Sequence, residues 1–231
     1  MKCLILASGF GTRLYPLTLN KVKSLLIYRN VSVLTHIIRK IPDELDIYVT
    51  TNKKFEKDFI SWQKNEPRNL ELIVEYVWNE EQSLGAIGSL YHAIKAKSIG
   101  EDVLVLAGDN YFEFSVSEFL KSCNGHNVLV AVHDIGSRDE AVDFGVVSLE
   151  GSKIIDFEEK PSRPKSSLIA TGCYILPTRV LPLLEKYCVY DRRDNLGDFI
   201  RFLVEEDEVY AYPFEDIWLD IGSVYASSNA V

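Results

Sequence analysis

No stretch of this chain approaches the ~18 consecutive apolar residues that a membrane span requires, so we expect no passage through a bilayer. Met1 to Ala7 lacks the length and cleavage pattern of a secretory leader. Cysteine is scarce. Cys3, Cys123, Cys173 and Cys188 stand far apart, with no spacing that suits a zinc site or a redox pair. Three of them lie among apolar neighbours, as buried thiols do. Together these absences point to the reducing cytoplasm. Acidic residues are missing from one region only. Between Met1 and Pro42 there are seven Lys or Arg and no Asp or Glu, although the 231-residue chain is net −9. The acidic remainder would repel long nucleic acid, which leaves a small polyanion as the partner of this basic segment.

No repeat, low-complexity tract or long linker interrupts the chain, and a hydrophobic content of 47% suffices for one large core. Apolar runs predict strands at 2–7, 46–50, 70–77, 102–107, 127–133, 144–149, 153–158, 168–176 and 208–213. Helical patterns fall at 32–41, 53–64, 85–97, 115–122, 177–187 and 195–205, with Ser32 and Ser115 as N-caps and Pro177 in a first turn. Strand and helix alternate up to about residue 133, the signature of right-handed crossovers and parallel strands. Beyond residue 144 strands follow one another more closely, and the sheet should become mixed. The expected class is therefore α/β, with a Rossmann-like, mostly parallel sheet flanked by helices. Ligands bind such sheets beyond the carboxyl ends of their strands.

The richest segment is Ala7-Ser8-Gly9-Phe10-Gly11-Thr12-Arg13-Leu14-Tyr15-Pro16-Leu17-Thr18, followed by Lys21 and Lys23. Gly9 and Gly11 break the first strand and would let backbone N–H groups approach a phosphate closely. A dinucleotide fingerprint would need a third Gly where Leu14 stands, and a P-loop would need a different spacing and a Gly-Lys-Ser/Thr ending. Further along, Gly108-Asp109 follows the run Val103–Leu106, and Asp220 follows Ile217-Trp218-Leu219. Unpaired carboxylates are expensive among apolar residues. A shared divalent ion would explain both, since proteins commonly hold Mg²⁺ with one or two carboxylates plus phosphate oxygens. Alternatively Asp220 caps a turn or pairs with a lysine. His36, His92, His126 and His133 show no nucleophile beside them and read as packing or surface residues. Trp62, Trp78 and Trp218 read as core or pocket wall.

With these motifs the chain resembles the sugar-1-phosphate nucleotidylyltransferases. The segment Gly9–Thr18 with Lys23 matches the family's opening motif, and Leu84-Gly85-Ala86-Ile87-Gly88-Ser89-Leu90 is similar to its Leu-Gly-Thr-Ala-Gly-Ala-Leu. Gly108-Asp109-Asn110 resembles its metal motif. Phe144–Val147, Glu159-Lys160-Pro161 and Ala170–Tyr174 resemble its sugar-side motifs, and Trp218–Ser223 its Trp-x-Asp-Ile-Gly-Thr. The resemblance implies the nucleotide-diphospho-sugar transferase fold in one catalytic domain over 1–231, with a nucleotide-binding half (1–133) and a sugar-phosphate-binding half (134–231). Nine residues follow Gly222, so no β-helix or acyltransferase domain is expected after it. The implied reaction joins an NTP to a sugar-1-phosphate and releases pyrophosphate with Mg²⁺. dTTP or UTP and a hexose-1-phosphate are the favoured pair.

Such chemistry rests on positioning and charge neutralisation. Arg13 can fork onto phosphate oxygens as the leaving group gains charge, and Lys23 adds a point charge beside it. These two are the catalytic candidates. The resemblance implies nucleotide contacts from Ala7, Ser8, Gly9, Gly11, Thr12, Glu80, Gly85 and Gly108. It implies sugar-phosphate contacts from Gly145, Glu159, Lys160 and Thr171, and Mg²⁺ ligation by Asp109 and Asp220. The chain also departs from the pattern. Glu80 stands where the family often has a Gln that reads a pyrimidine, and Gln82 is out of register. Val22 replaces a usual Pro, and Ser8 a common Gly or Ala. The polar cluster 191–198 reads as a solvated connection. A related-fold glycosyltransferase, cytidylyl or guanylyl transfer, a phosphorylated alcohol as acceptor, and a non-catalytic subunit stay open at this point, as does a homo-oligomer.

Overall fold

The structure, a computed structural model, describes residues 1–190 and 195–228. Strands β1 (Lys2–Leu6), β4 (Asp46–Asn52), β5 (Glu71–Glu75) and β6 (Val103–Ala107) lie parallel in the order β5-β4-β1-β6. Between β1 and β4 the chain makes a two-residue ladder, β2 (Ile27–Tyr28) with β3 (Val31–Ser32), and then α1 (Val33–Ile38). Helices α2 (Glu56–Gln63) and α3 (Gly85–Ala96) make the next two crossovers. The Ser32 and Ser115 hydroxyls accept from the N–H groups of Thr35 and Glu118 and cap α1 and α4 (Val116–Ser122), as their sequence positions predict.

Sheet order changes after β6. A three-residue strand, β7 (Asn110–Phe112), leaves the main sheet, and β8 (Val128–Asp134) returns to it. β8 does not sit beside β6. Antiparallel β11 (Leu168–Leu176) lies between them, while β9 (Gly145–Glu150) and β10 (Lys153–Glu159) form the far edge. After α5 (Leu181–Tyr190) and α6 (Leu196–Glu206), β12 (Val209–Phe214) pairs parallel with β8. The nine-stranded sheet is thus mixed, and strands from 134–231 interleave with those from 1–133. Finally β13 (Trp218–Asp220) pairs antiparallel with β7, and α7 (Ile221–Ser228) follows directly.

Both sheet faces are covered, which explains the near-continuous apolar runs of the central strands. Side chains alternate across the pleat: Cys3, Ile5, Leu104 and Leu106 enter one core cluster, and Leu4, Val103 and Val105 the other. Each fully buried aliphatic or aromatic side chain contributes roughly 2 kcal/mol of transfer free energy. Cys3, Cys173 and Cys188 are buried as expected. Trp62 packs, partly buried, against the core and Trp218 lines the cavity described below, but Trp78 is 59% exposed and corrects that part of the reading. No described helix is long and apolar enough to cross a membrane.

Candidate active site

The carboxyl ends of β1 and β6 open into a cavity of about 600 Å³. The residues expected to act in catalysis, nucleotide binding, sugar-phosphate binding or metal ligation all lie on its wall: Ala7, Ser8, Gly9, Gly11, Thr12, Arg13, Lys23, Glu80, Gly85, Gly108, Asp109, Gly145, Glu159, Lys160, Thr171 and Asp220. Gly11 has φ +66°, a left-handed conformation that side chains resist, and it precedes the 3₁₀ turn Thr12–Leu14 carrying Arg13. Arg13 is exposed, with no hydrogen bond or ion pair among the described residues. Gly108 donates to the Leu6 carbonyl at 2.9 Å, and a Cβ there would stand 2.8 Å from that of Ala7. Glycine at 108 therefore lets β1 and β6 end side by side.

Asp109 and Asp220, 111 positions apart in the chain, meet at one point. β13 runs antiparallel to β7 with Asp220 opposite Asn110, and the N–H of Ile221 donates to the Asp109 carbonyl at 3.3 Å. The Lys23 ammonium bridges the pair, donating to Asp109 Oδ2 at 2.7 Å and to Asp220 Oδ2 at 3.3 Å. Burial works to lower the pKa of Lys23, but the two carboxylates outweigh it and hold the ammonium above the ordinary lysine value. Gly222 makes room for this contact, because a Cβ there would fall 2.8 Å from the lysine Nζ. Asp220 also caps a turn, its Oδ1 accepting from the N–H of Ser223 at 2.7 Å and its hydroxyl at 3.1 Å. The turn-cap and lysine-pair readings of Asp220 are thus both realised, and its Oδ2 still faces Asp109 across the ammonium. Among the described residues no cluster of three His, Cys, Asp or Glu side chains is present. Two carboxylates with oxygen donors fit a hard divalent cation that takes its other ligands from phosphate and water, and do not fit a closed structural metal centre.

Across the cavity, Glu159 sits on the last residue of β10. Its side chain is 14% exposed, and Lys160 Nζ lies 3.5 Å from it. Burial pushes its carboxyl upward, against the nearby lysine. Two glycines admit it. A Cβ on Gly145 would stand 2.5 Å from the Phe157 ring and 3.1 Å from Glu159, and one on Gly197 would stand 1.8 Å from Glu159 Oε2. Lys160 adopts φ +47°, donates its backbone N–H to the Phe144 carbonyl at 3.0 Å, and reaches Asn195 Oδ1 with its ammonium at 3.4 Å. A non-glycine residue held in this region at a site commonly marks function.

Thr171 reaches the wall differently from expectation. Its hydroxyl donates to the Ala131 carbonyl at 2.9 Å, inside the sheet, and its carbonyl accepts from Asn110 Nδ2 at 2.9 Å. It holds the start of β7 from a register shift in β11 between Ala170 and Tyr174. Of the motif glycines, Gly85 is on the wall, whereas Gly88 is buried within α3. Gln82 accepts from the Trp78 N–H at 2.9 Å and is spent on the local turn, leaving Glu80 on the wall. The cluster 191–198 divides: residues 191–194 lie outside the described residues, while Asn195, Leu196 and Gly197 line the cavity and correct the solvated reading. Sequence reasoning missed Ser89 as well. Its position four residues after Gly85, on the same helix face, was the available signal.

The model of the nucleotidyl transferase family matches residues 2–230. The bifunctional protein GlmU of Methanocaldococcus jannaschii is 33% identical over 226 residues, covering 96% of this chain and 51% of that protein. The chain thus spans about half the length of this curated relative. A Bacillus anthracis structure, assigned provisionally as a glucose-1-phosphate thymidylyltransferase, superposes with a TM-score of 0.86 at 24% identity, covering 99% of this chain and 93% of that one. A UDP-glucose pyrophosphorylase solved with UDP-glucose superposes at 0.77 with 21% identity, covering 99% and 97%. At such identities these two matches establish the fold. With the family model spanning almost every residue, the chain belongs to the nucleotidyl transferase family, among the sugar-1-phosphate nucleotidylyltransferases.

Proposed function

We propose that this chain transfers a nucleotidyl group, thymidylyl or uridylyl in the favoured case, from an NTP to a hexose-1-phosphate. A phosphate oxygen of the sugar phosphate attacks the α-phosphorus in line, the bond to the β-phosphate oxygen breaks, and pyrophosphate departs. The observation that carries this reading is the meeting of Asp109 and Asp220 at Lys23, inside a cavity flanked by the glycine loop and by Glu159 and Lys160.

In this scheme Gly9 and Gly11 admit the triphosphate, and Arg13, which has no acidic partner among the described residues, forks onto the departing pyrophosphate. Lys160, steadied by Asn195 and Glu159, holds the attacking phosphate at the opposite side. Glu159 accepts from sugar hydroxyls. Asp109 and Asp220 would hold Mg²⁺, which when bound supplies positive charge to the phosphate oxygens. Lys23 then provides its ammonium to the phosphates. The test is pyrophosphate release across a matrix of NTPs and sugar-1-phosphates with Mg²⁺. Release with at least one pair, strongest with UTP or dTTP, is expected, and silence across the whole matrix would overturn the reading.

A further inference from the structure

Behind the wall formed by Gly85, Ala86 and Ser89 lies a polar cluster that the reaction scheme leaves unused. Glu75, the last residue of β5, is 2% exposed, and its Oε1 has no hydrogen-bond partner. Beside it the hydroxyls of Ser8 and Ser89 hydrogen-bond to one another at 2.9 Å, and both act to lower its pKa. Burial pushes this carboxyl upward more than the two hydroxyls draw it down. β4, its neighbour in the sheet, places the neutral Thr51 and Asn52 at this end, while its one acid, Asp46, stands at the opposite end paired with Lys2. Asn52 pairs in register with Glu75 but gives its Nδ2 to the Ser8 carbonyl at 2.8 Å and its Oδ1 to the Phe55 N–H at 3.0 Å. Of the charges that follow on the chain, Lys53 and Glu56 pair with each other at 2.5 Å, and the Lys54 ammonium lies over the Phe10 and Phe55 rings. Among the described residues, no ion pair engages Glu75.

A carboxyl so placed is costly, and an apolar residue would fill the same space more cheaply. Both serines that touch it are also departures from the family's motifs, Ser8 for Gly or Ala and Ser89 for Ala. Two such changes in mutual contact, over one buried acid, indicate a built arrangement. Both serines reach the cavity wall. With the glycine loop given to phosphates and the Glu159 side to the sugar, this wall is left for the nucleoside.

Resting on the nucleotidyl-transfer reading, we propose that Glu75 is a positioning residue for nucleoside recognition. One of the two hydroxyls donates to the other, and Glu75 accepts from the hydroxyl left free to donate, so that the wall keeps an oxygen acceptor for an N–H or O–H donor of the nucleoside. The N3–H of a uracil or thymine is one such donor.

The test measures the binding of UTP, dTTP, CTP, GTP and ATP to the whole chain, and KM for glucose-1-phosphate, in wild type, Ser89→Ala, Glu75→Gln and the double variant. Glutamine keeps the volume but can donate into a serine oxygen, which reverses the polarity of the pair. For the triphosphate that wild type binds best, each single variant should weaken binding roughly tenfold, the scale of one hydrogen bond. The double variant should be no weaker than either single one, and KM for glucose-1-phosphate should not move. Variants that bind the triphosphate as wild type does would overturn the proposal. So would a parallel loss of melting temperature and of affinity for both substrates, because that is the mark of a structural role. A wild type that binds no triphosphate would overturn the nucleotidyl-transfer reading, and this proposal with it.

Discussion

Lys23 donates to Asp109 at 2.7 Å across 86 positions of sequence, and the same ammonium reaches Asp220. One lysine thus neutralises most of the repulsion between two acids that the β7–β13 pairing forces together. Its removal should leave both acids uncompensated and more attractive to a cation. Lys23→Ala should lower kcat by ~10²-fold, the scale of losing one transition-state donor, while tightening Mg²⁺ binding. Thermal shift against Mg²⁺ concentration measures the second effect. Equal or weaker Mg²⁺ binding in the variant would mean that the two carboxylates do not share an ion.

Asp109→Asn keeps the size of the side chain and the Ile221 contact to the backbone carbonyl. Pyrophosphate release should fall by ~10²-fold or more. The melting temperature should stay within a few degrees, since the side chain is 38% exposed and its ion pair adds little net stability. Substantial turnover at saturating Mg²⁺ would remove Asp109 from the metal role.

Much of this site was legible because its residues belong to short contiguous motifs at strand ends. The glycine loop, Gly108-Asp109 and Glu159-Lys160 each carry their chemistry within a few positions, and the strand-end rule places them together. What the sequence could not show was set by distant pairing. Insertion of β11 between β6 and β8 leaves no local trace, because β11 reads as an apolar strand wherever it lies. The β7–β13 ladder is three residues long, too short for any periodicity, yet it brings Asp220 to Asp109. Thr171 illustrates the same limit: its motif was recognisable, but only its neighbours Ala131 and Asn110 reveal that its hydroxyl faces the sheet. Gly197 hid in a polar run whose composition suggested solvent, and its role depends on a carboxylate 38 positions earlier.

Arg13 should behave differently from the buried groups. It is exposed and has no partner to lose among the described residues, so Arg13→Ala should leave the melting temperature unchanged. kcat should fall by ~10²-fold while KM for the sugar phosphate holds. A change confined to KM for the NTP would assign Arg13 to ground-state binding alone.

Gly197→Ala tests the seat of Glu159. In an exposed helix this change is usually favourable by ~1 kcal/mol. Here the new methyl would stand 1.8 Å from Glu159 Oε2, so the carboxylate must leave its place beside Lys160. KM for the sugar phosphate should rise roughly tenfold, and KM for the NTP should be unaffected. An unchanged KM for the sugar phosphate would take Glu159 out of sugar binding.

The buried carboxyl of Glu75 sets a pH dependence whose sign follows from its environment. Burial raises its pKa above the ordinary value of 4.5, so the folded state holds this proton more tightly than the unfolded chain does. Stability carried by this group is therefore complete below pH 4.5 and declines as pH rises through the elevated folded-state value. Glu75→Gln has no proton to lose. The variant should match wild type in melting temperature at acid pH and exceed it increasingly toward neutrality, in unfolding measured from pH 4 to 8. A wild-type advantage that grows with pH would mean that a cation, absent from the described contacts, stabilises the ionised form.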